Sequence, residues 1–299
     1  MRLAAPDLMY GFGVMMGISL SLFLLGVVIG ERVSRKTSLL LLSVCVGMIV
    51  LYLLYLWDDI LLANLLPFSN LIVIGNWLPP MTALIAGIAW KSMPGSLRRR
   101  NGYTAVEFMI AGIAMLLPVW GTAPQCEELW DGQVCRQTSN QTCSAACAAT
   151  LLRLHGIDTS EQEMAELCLT NGTGTSWQGL YRGLSLKSEG TNLGVEVLPC
   201  QPADLSLFTH SNAILAVGIP EGVEVPAKYT ANNKFGWEVG QLHSVVFFGF
   251  NQEGQAIIGD PAVGMDLWSW EDLEILVRGR AIRLIHEEPP VSSKLTVNR

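Results

Sequence analysis

The chain has 299 residues, half of them apolar and only 15% charged, with a net charge of −7. Soluble domains average about 25% charged residues, so the composition argues against an ordinary cytosolic enzyme. An acidic pI near 5.1 argues against a nucleic-acid partner, whose phosphates call for a basic face.

These means average two unlike regions. Residues 1–121 hold eight Lys/Arg and five Asp/Glu, a net of +3, whereas residues 122–299 hold eleven and twenty-one, a net of −10. All four histidines and six of the seven cysteines lie in the second region. Four apolar stretches fill the first. Leu8–Gly30 runs 23 residues without a charge, which as a helix spans about 34 Å, enough to cross a bilayer core. A second span is expected over 38–57. Residues 60–90 are uncharged but interrupted by Pro67, Gly75, Asn76 and the Pro79-Pro80 pair; this predicts an interfacial segment near 60–68 and one crossing over 70–90. The fourth span is expected over 104–121, with Glu107 near its start, at the interface or facing a partner helix.

The loops ERVSRK and KSMPGSLRRRN, after the first and third spans, are basic, while the loop after the second carries Asp58 and Asp59. The positive-inside rule puts the basic loops in the cytoplasm and everything after residue 121 outside. The first span has one Arg offset by Asp7 and no small-x-small site before Glu31, so it is expected to stay as an anchor rather than leave as a signal peptide. No charge sits mid-span, which favours a membrane anchor over an ion or proton pathway.

From residue 122 the pattern becomes mixed α/β, with the domain expected over 122–287 and a loose tail over 288–299. A helix is predicted over 143–155, with Thr142 as N-cap and Gly156 as its stop. A second starts at Ser160, which forms a capping-box pattern with Glu163. A third opens at Thr175-Ser176 and runs to about Leu186. Strands are predicted over 194–198, 213–219, 243–250, 256–260 and 281–286, with a short helix near 270–277. Helices first and strands afterwards predict an α+β domain with a mainly antiparallel sheet.

Cys143 stands at the predicted N-terminus of an apolar helix, where unpaired N–H groups and the helix dipole favour a thiolate. A nucleophilic thiol also needs a base and an orienting group, distant in sequence. His243 begins one apolar strand and Asp260 ends the next; if those strands are neighbours, both side chains emerge at one sheet end. Gln137 precedes Cys143 by six residues and can donate its amide to an oxyanion beside the Cys143 backbone N–H.

The segment QTSNQTCSAACAATLLRLHG resembles the active-site segment of the double-glycine leader peptidases, the bacteriocin-processing cysteine peptidase family. GTGTSWQGLYRGL is similar to the family's next helix start, and LHSVVFFGF followed by IIGDPAVG resembles its His strand and Asp-Pro turn. The resemblance covers roughly 133–285 in the order Gln, Cys, His, Asp. It implies a papain-like fold in which Cys143 attacks the scissile carbonyl, His243 shuttles the proton, Asp260 orients the imidazole and Gln137 lines the oxyanion hole. No cofactor or metal is implied. The implied partners are a peptide or leader-peptide substrate, the lipid bilayer and a separate exporter, since the 299 residues contain no G-x-x-x-x-G-K-[ST] phosphate loop. The expected location is a bacterial inner membrane; the family's usual domain faces the cytoplasm, whereas the charge rule puts this one outside. The chain departs from the family at Thr142 and Ser144, where Asp and Gly are common.

Other readings stay open. One alternative makes Cys143 half of a structural disulfide, which an extracytoplasmic compartment allows; Cys126–Cys135 is the first choice for a disulfide and Cys168–Cys200 a second pair. Cys147 reads as a small buried helix residue. Asp266 and Asp272 are rival orienters, and Trp268 and Trp270 either wall a groove or pack. The alternative functions are a catalytically silent peptide-binding relative, or another papain-like thiol chemistry such as transamidation.

Overall fold

The computed structural model describes residues 5–92, 96–208, 211–223 and 237–287. The chain falls into two compact units, Met1–Thr122 and Ala123–Arg299. The tail expected over 288–299 lies outside the described residues.

In the first unit, helix α1 (Pro6–Arg32) opens on a proline, whose missing N–H costs nothing in a first turn, and places Asp7 and Arg32 where each suits the helix dipole. Helix α2 (Arg35–Leu51) is capped by Ser34, whose hydroxyl accepts from the Thr37 N–H, and continues as a π-helical turn over Tyr52–Leu56. The breakers between 60 and 80 divide the third stretch into α3 (Leu61–Leu65), α4 (Leu71–Ile74) and α5 (Leu78–Ser92). Helix α6 (Leu97–Leu116) ends in a 3₁₀ turn. Among the described residues, four segments are long and apolar enough to cross a bilayer: Pro6–Arg32, Arg35–Leu56, Leu71–Trp90 and Leu97–Val119.

Two details depart from expectation. Arg98–Arg100, taken for loop, are good helix formers and start the last helix at Leu97, so Glu107 lies midway along it. The segment over 70–90 is broken at Gly75–Trp77. A break inside apolar surroundings strands backbone groups, and the Tyr52 hydroxyl satisfies two of them. It donates to the Gly75 carbonyl (2.7 Å) and accepts from the Trp77 N–H (3.2 Å). Buried Asn70 and Asn76 donate to the carbonyls of Asp7 (3.1 Å) and Ala114 (2.9 Å), tying the broken segment to α1 and α6. Helices α1 and α5 meet backbone to backbone. A Cβ on Gly26 would strike the Leu84 carbonyl, and one on Gly87 the Phe23 carbonyl, so only glycine permits this approach.

The second unit is α+β. A hairpin of β1 (Trp130–Asp131) and β2 (Val134–Cys135) turns through Gly132 at φ +59. It is pinned to α7 (Cys143–Leu154) by a bond from the Cys135 N–H to Thr150 Oγ1 (2.9 Å). Helix α7 stops in a Schellman motif: the Ile157 N–H reaches the Leu152 carbonyl and the Gly156 N–H the Arg153 carbonyl, with Gly156 at φ +77. Helices α8 (Glu161–Leu167) and α9 (Trp177–Ser188) start on the serine caps Ser160 and Ser176. The Ser160 box is half made. Its hydroxyl takes the Glu163 N–H, but the Glu163 carboxylate goes to Thr159 and Lys187.

Strands β3 (Leu193–Cys200), β4 (Ala213–Gly218), β5 (Leu242–Phe250), β6 (Ala256–Asp260), β7 (Gly264–Trp268) and β8 (Val277–His286) form one antiparallel sheet in the order β3-β8-β4-β5-β6-β7. Helix α10 (Trp270–Leu276), opened by a Ser269–Asp272 capping box, joins β7 to β8. One sheet face packs Leu215, Val217, Val245, Phe247, Ile258 and Trp268 with Leu273 and Leu276 of α10. From β5, Ser244 meets α7: its hydroxyl bonds to that of Ser144 (2.9 Å), and its carbonyl accepts from the Cys147 thiol (3.2 Å).

The two expected disulfides do not form, since all seven cysteines are thiols. Cys135 is locked in the hairpin against α7, while the Cys126 sulfur turns to the Pro124 carbonyl (3.6 Å). Cys168 follows α8 and fills the space that a side chain at Gly183 of α9 would need, whereas Cys200 ends β3 in the sheet core. The members of this second pair belong to different layers.

Candidate active site

Cys143 is the first residue of α7, half-buried, at the helix end whose free N–H groups favour a thiolate. His243 is the second residue of β5 and Asp260 the last of β6. The two strands are antiparallel neighbours, so the start of one and the end of the other share a sheet end. There His243 Nε2 lies 2.9 Å from Asp260 Oδ1, with both residues buried. A carboxylate only accepts, so Nε2 carries the proton. The other ring nitrogen, Nδ1, is buried and has no hydrogen-bond partner of ordinary geometry among the described residues. The Cys143 sulfur interacts with the same ring.

The two groups charge each other. Burial alone would push the Cys143 thiol up, but the hydrogen bond and positive charge of His243, with a backbone bond from Ser244, outweigh it and hold the thiol below its usual value. Burial likewise works against a charged His243, and the Asp260 carboxylate with the Cys143 sulfur raises it instead, to about 10. The arrangement favours a thiolate–imidazolium pair.

Asp260 is fully engaged. Oδ1 also takes the Ala262 N–H (2.8 Å), and Oδ2 takes the indole N–H of Trp237 (2.6 Å). The Trp237 ring packs on His243 at 4.7 Å between centroids. Nothing in local spacing marks this tryptophan, because its contacts reach across to β5 and β6. The rival acids lie elsewhere in the hydrogen-bond network. Asp266 accepts from Trp268 and Asp272 completes the α10 cap. Trp268 is core, and Trp270 is an exposed residue bonded to Glu274. His155 pairs its ring edge-on with His286; His210 lies outside the described residues.

Gln137 is buried, and its backbone N–H donates to the Pro261 carbonyl (2.9 Å), directly after Asp260. Arg136 strengthens this seam, donating to the carbonyls of Pro261 (3.1 Å) and Ala262. The Gln137 amide donates one proton to the Ser139 carbonyl (2.9 Å), which leaves the second. The loop from Gln137 to Cys143 is held by the buried carboxylate of Glu161, which accepts from the Thr138 N–H (2.9 Å) and hydroxyl (2.7 Å). Thr142 stands at the N-cap, but its hydroxyl donates back to the Ser139 carbonyl (3.1 Å) instead of capping α7.

Cys143, Ser144, His243 and Ser244 open onto a cleft of about 670 Å³, walled also by Gly172–Thr175, Trp177 and Leu180. A thiol, an imidazole and a carboxylate coupled in this way at the wall of an open cleft have the chemistry that acyl transfer needs.

Residues 131–217 match the model of the Peptidase C39 family, a stretch that includes Gln137 and Cys143 and ends before His243. An uncharacterized protein of Methanothermobacter marburgensis is 41% identical over 64 residues, 21% of this chain and 44% of its own length; the chain thus matches less than half of that curated relative. Among solved structures, the peptidase domain of Streptococcus ComA, a bi-functional ABC transporter involved in a quorum-sensing pathway, is similar at 22% identity and a TM-score of 0.39, over 51% of this chain and 96% of that one. A double glycine motif protease from an AMS/PCAT transporter, solved in complex with the leader peptide, is similar at 14% identity and a TM-score of 0.37, over 54% and 92%. The peptidase C39-like domain of a Vibrio parahaemolyticus toxin secretion ATP-binding protein is similar at 17% identity and a TM-score of 0.31, over 50% and 99%. Following the helices of membrane-spanning length in the sequence, the α+β unit is similar to the Peptidase C39 family over residues 131–217.

Proposed function

We propose that the protein is a membrane-anchored cysteine endopeptidase that cuts peptide or leader substrates in the Cys143 cleft. The observation that carries this reading is the coupled Cys143–His243–Asp260 arrangement, in which a half-buried thiol is held below its usual pKa by a buried imidazole. A buried cysteine without such an imidazole is pushed up by burial, as Cys147 and Cys135 are.

In this mechanism the Cys143 thiolate attacks the scissile carbonyl carbon. The oxyanion that forms takes hydrogen bonds from the Cys143 backbone N–H and the remaining Gln137 amide proton. The tetrahedral intermediate collapses as the His243 imidazolium gives its proton to the leaving amine, leaving a thioester on Cys143. The now neutral His243 takes a proton from water, whose oxygen attacks the thioester, and the acid product leaves with the thiolate restored. Asp260 holds the ring in one orientation throughout. The family match supports a leader-type substrate.

The test is alkylation of the full chain, in detergent, with iodoacetamide at about pH 6, followed by mapping of the modified cysteine. Selective modification of Cys143, lost in His243→Ala, is expected. An unreactive Cys143 would replace this reading with a silent peptide-binding protein.

A further inference from the structure

We propose that Trp237 is a positioning residue of this site, fixing Asp260 through its indole N–H and covering the imidazole with its ring. The inference rests on the Cys143–His243–Asp260 reading above and assigns a role to a residue outside it.

Asp260 and His243 are 1% and 2% exposed, so water cannot solvate the carboxylate, and a buried carboxylate needs donors on both oxygens. Oδ1 is shared between His243 Nε2 (2.9 Å) and the Ala262 N–H (2.8 Å), while the indole reaches Oδ2 at 2.6 Å. A donor on Oδ2 stops the carboxylate from rotating about its Cβ–Cγ bond, which would turn Oδ1 away from the ring. The same indole lies 4.7 Å from the imidazole centroid, tilted by 51°, within the range at which an aromatic face attracts a cation. Trp237 is itself braced by Trp268, 5.9 Å away, whose indole N–H is tied to Asp266 (3.0 Å). One side chain thus touches both the acid and the base of the site from a loop that supplies neither.

Removing the indole N–H weakens the ionised Asp260, hence the His243 imidazolium, hence the Cys143 thiolate. The other titratable and charged groups around the pair are Cys147, Glu238 and Arg280 at the cleft, and Arg136 on the turn after Asp260; the substitution leaves all of them in place. The change therefore shows as a shift along the pH axis.

The experiment is the rate of Cys143 alkylation by iodoacetamide from about pH 5 to 9, on the full chain and on Trp237→Phe, which keeps an aromatic ring without the donor. We expect alkylation about tenfold slower at about pH 6, the size of a charge-assisted hydrogen bond, with the rate recovered at high pH. The profile midpoint should move up by about one unit. A purely structural role would scale the rate equally at every pH. Site-specific 3-benzothienylalanine at position 237 keeps the indole shape without the N–H, and it should give the same shift even where Trp237→Phe fails to fold. An unshifted profile with that isostere overturns the proposal while the peptidase reading stands; an unreactive Cys143 in the unmodified chain removes both.

Discussion

Cysteines of the second unit show how far surroundings outweigh residue type. Burial, the largest cause in each case, pushes the Cys126 thiol up to about 11, Cys135 to about 12 and Cys200 to about 11. Cys147, one helical turn from Cys143, rises well above the usual value for the same reason. Cys143 pays the same burial cost and is still held low, because His243 adds a hydrogen bond and a charge. Its place at a helix start was legible in the sequence, as were the strand ends that carry His243 and Asp260. Trp237 was not, since its contacts cross the chain. A pH profile follows from these shifts. The reactive pair exists above the lowered value of Cys143 and below the raised value of His243, about 10. Turnover of a leader peptide should therefore rise with pH through the first and fall through the second. The same raised value makes His243 stabilise the fold fully below its ordinary 6.5, a contribution lost as pH rises through about 10. Asp260→Asn removes the charge that holds His243 up, so the alkaline limb should move toward neutral pH and kcat/KM fall about a hundredfold. An alkaline limb that stays in place would show that Asp260 does not orient His243.

Among the elements, the loop between Gln137 and α7 sets the geometry of the site, and it is held by a residue that the sequence reading gave no role. Helices with clean caps were readable, because Ser160 and Ser176 sit directly ahead of apolar periodicity. The β1–β2 hairpin was not, since two-residue strands carry no alternation, although Asp131-Gly132 is a turn signal. Strand β7 was missed because an edge strand with Asp266 at its centre lacks an apolar run. The disulfide expectations failed for a related reason: sequence spacing does not tell which layer a cysteine occupies. Glu161 illustrates the same limit. At the first position of α8 it reads as a solvated acid suited to a helix dipole, yet it is wholly buried and binds Thr138 twice. Burial raises its carboxyl, while the hydrogen bonds from the Thr138 N–H and hydroxyl oppose the rise. Glu161→Ala would take the acceptor from the partly buried N–H and hydroxyl of Thr138 in the loop, at a cost of about 2 kcal/mol. That should appear as a drop of roughly 4–8 °C in the melting temperature of the unit. Glu161→Gln, which keeps one acceptor, should lose less. Equal stability of Glu161→Ala and the parent chain would mean that the loop is held by Ser139 and Thr142 alone.

For the whole molecule, the average charge of −7 describes neither unit, and the distribution of charge carries the orientation. The basic residues of the first unit cluster at helix ends: Arg32, Arg35 and Lys36 between α1 and α2, and Arg98–Arg100 in the first turn of α6. Lys and Arg so close to the ends of apolar spans are the ones the positive-inside rule counts. Whether both clusters share a side depends on the broken segment. Helix α5 alone, with its 15 residues, spans only about 22 Å, short of the ~30 Å hydrocarbon core. It crosses only together with α4, and the Tyr52 hydroxyl that spans the break, with the Asn70 and Asn76 bonds that tie the segment to α1 and α6, makes a broken crossing tolerable. If the segment crosses, the rule puts both basic clusters in the cytoplasm and the second unit outside. If it re-enters instead, Arg98–Arg100 share a side with Asp58 and Asp59, and α6 leads the chain back into the cytoplasm. Two fusions of a reporter active only in the cytoplasm separate these cases. Placed after Arg100, it should be active; placed after Arg299, it should be silent. The reverse pattern would make α4 and α5 a re-entrant pair and would put the Cys143 cleft on the side where thiols stay reduced.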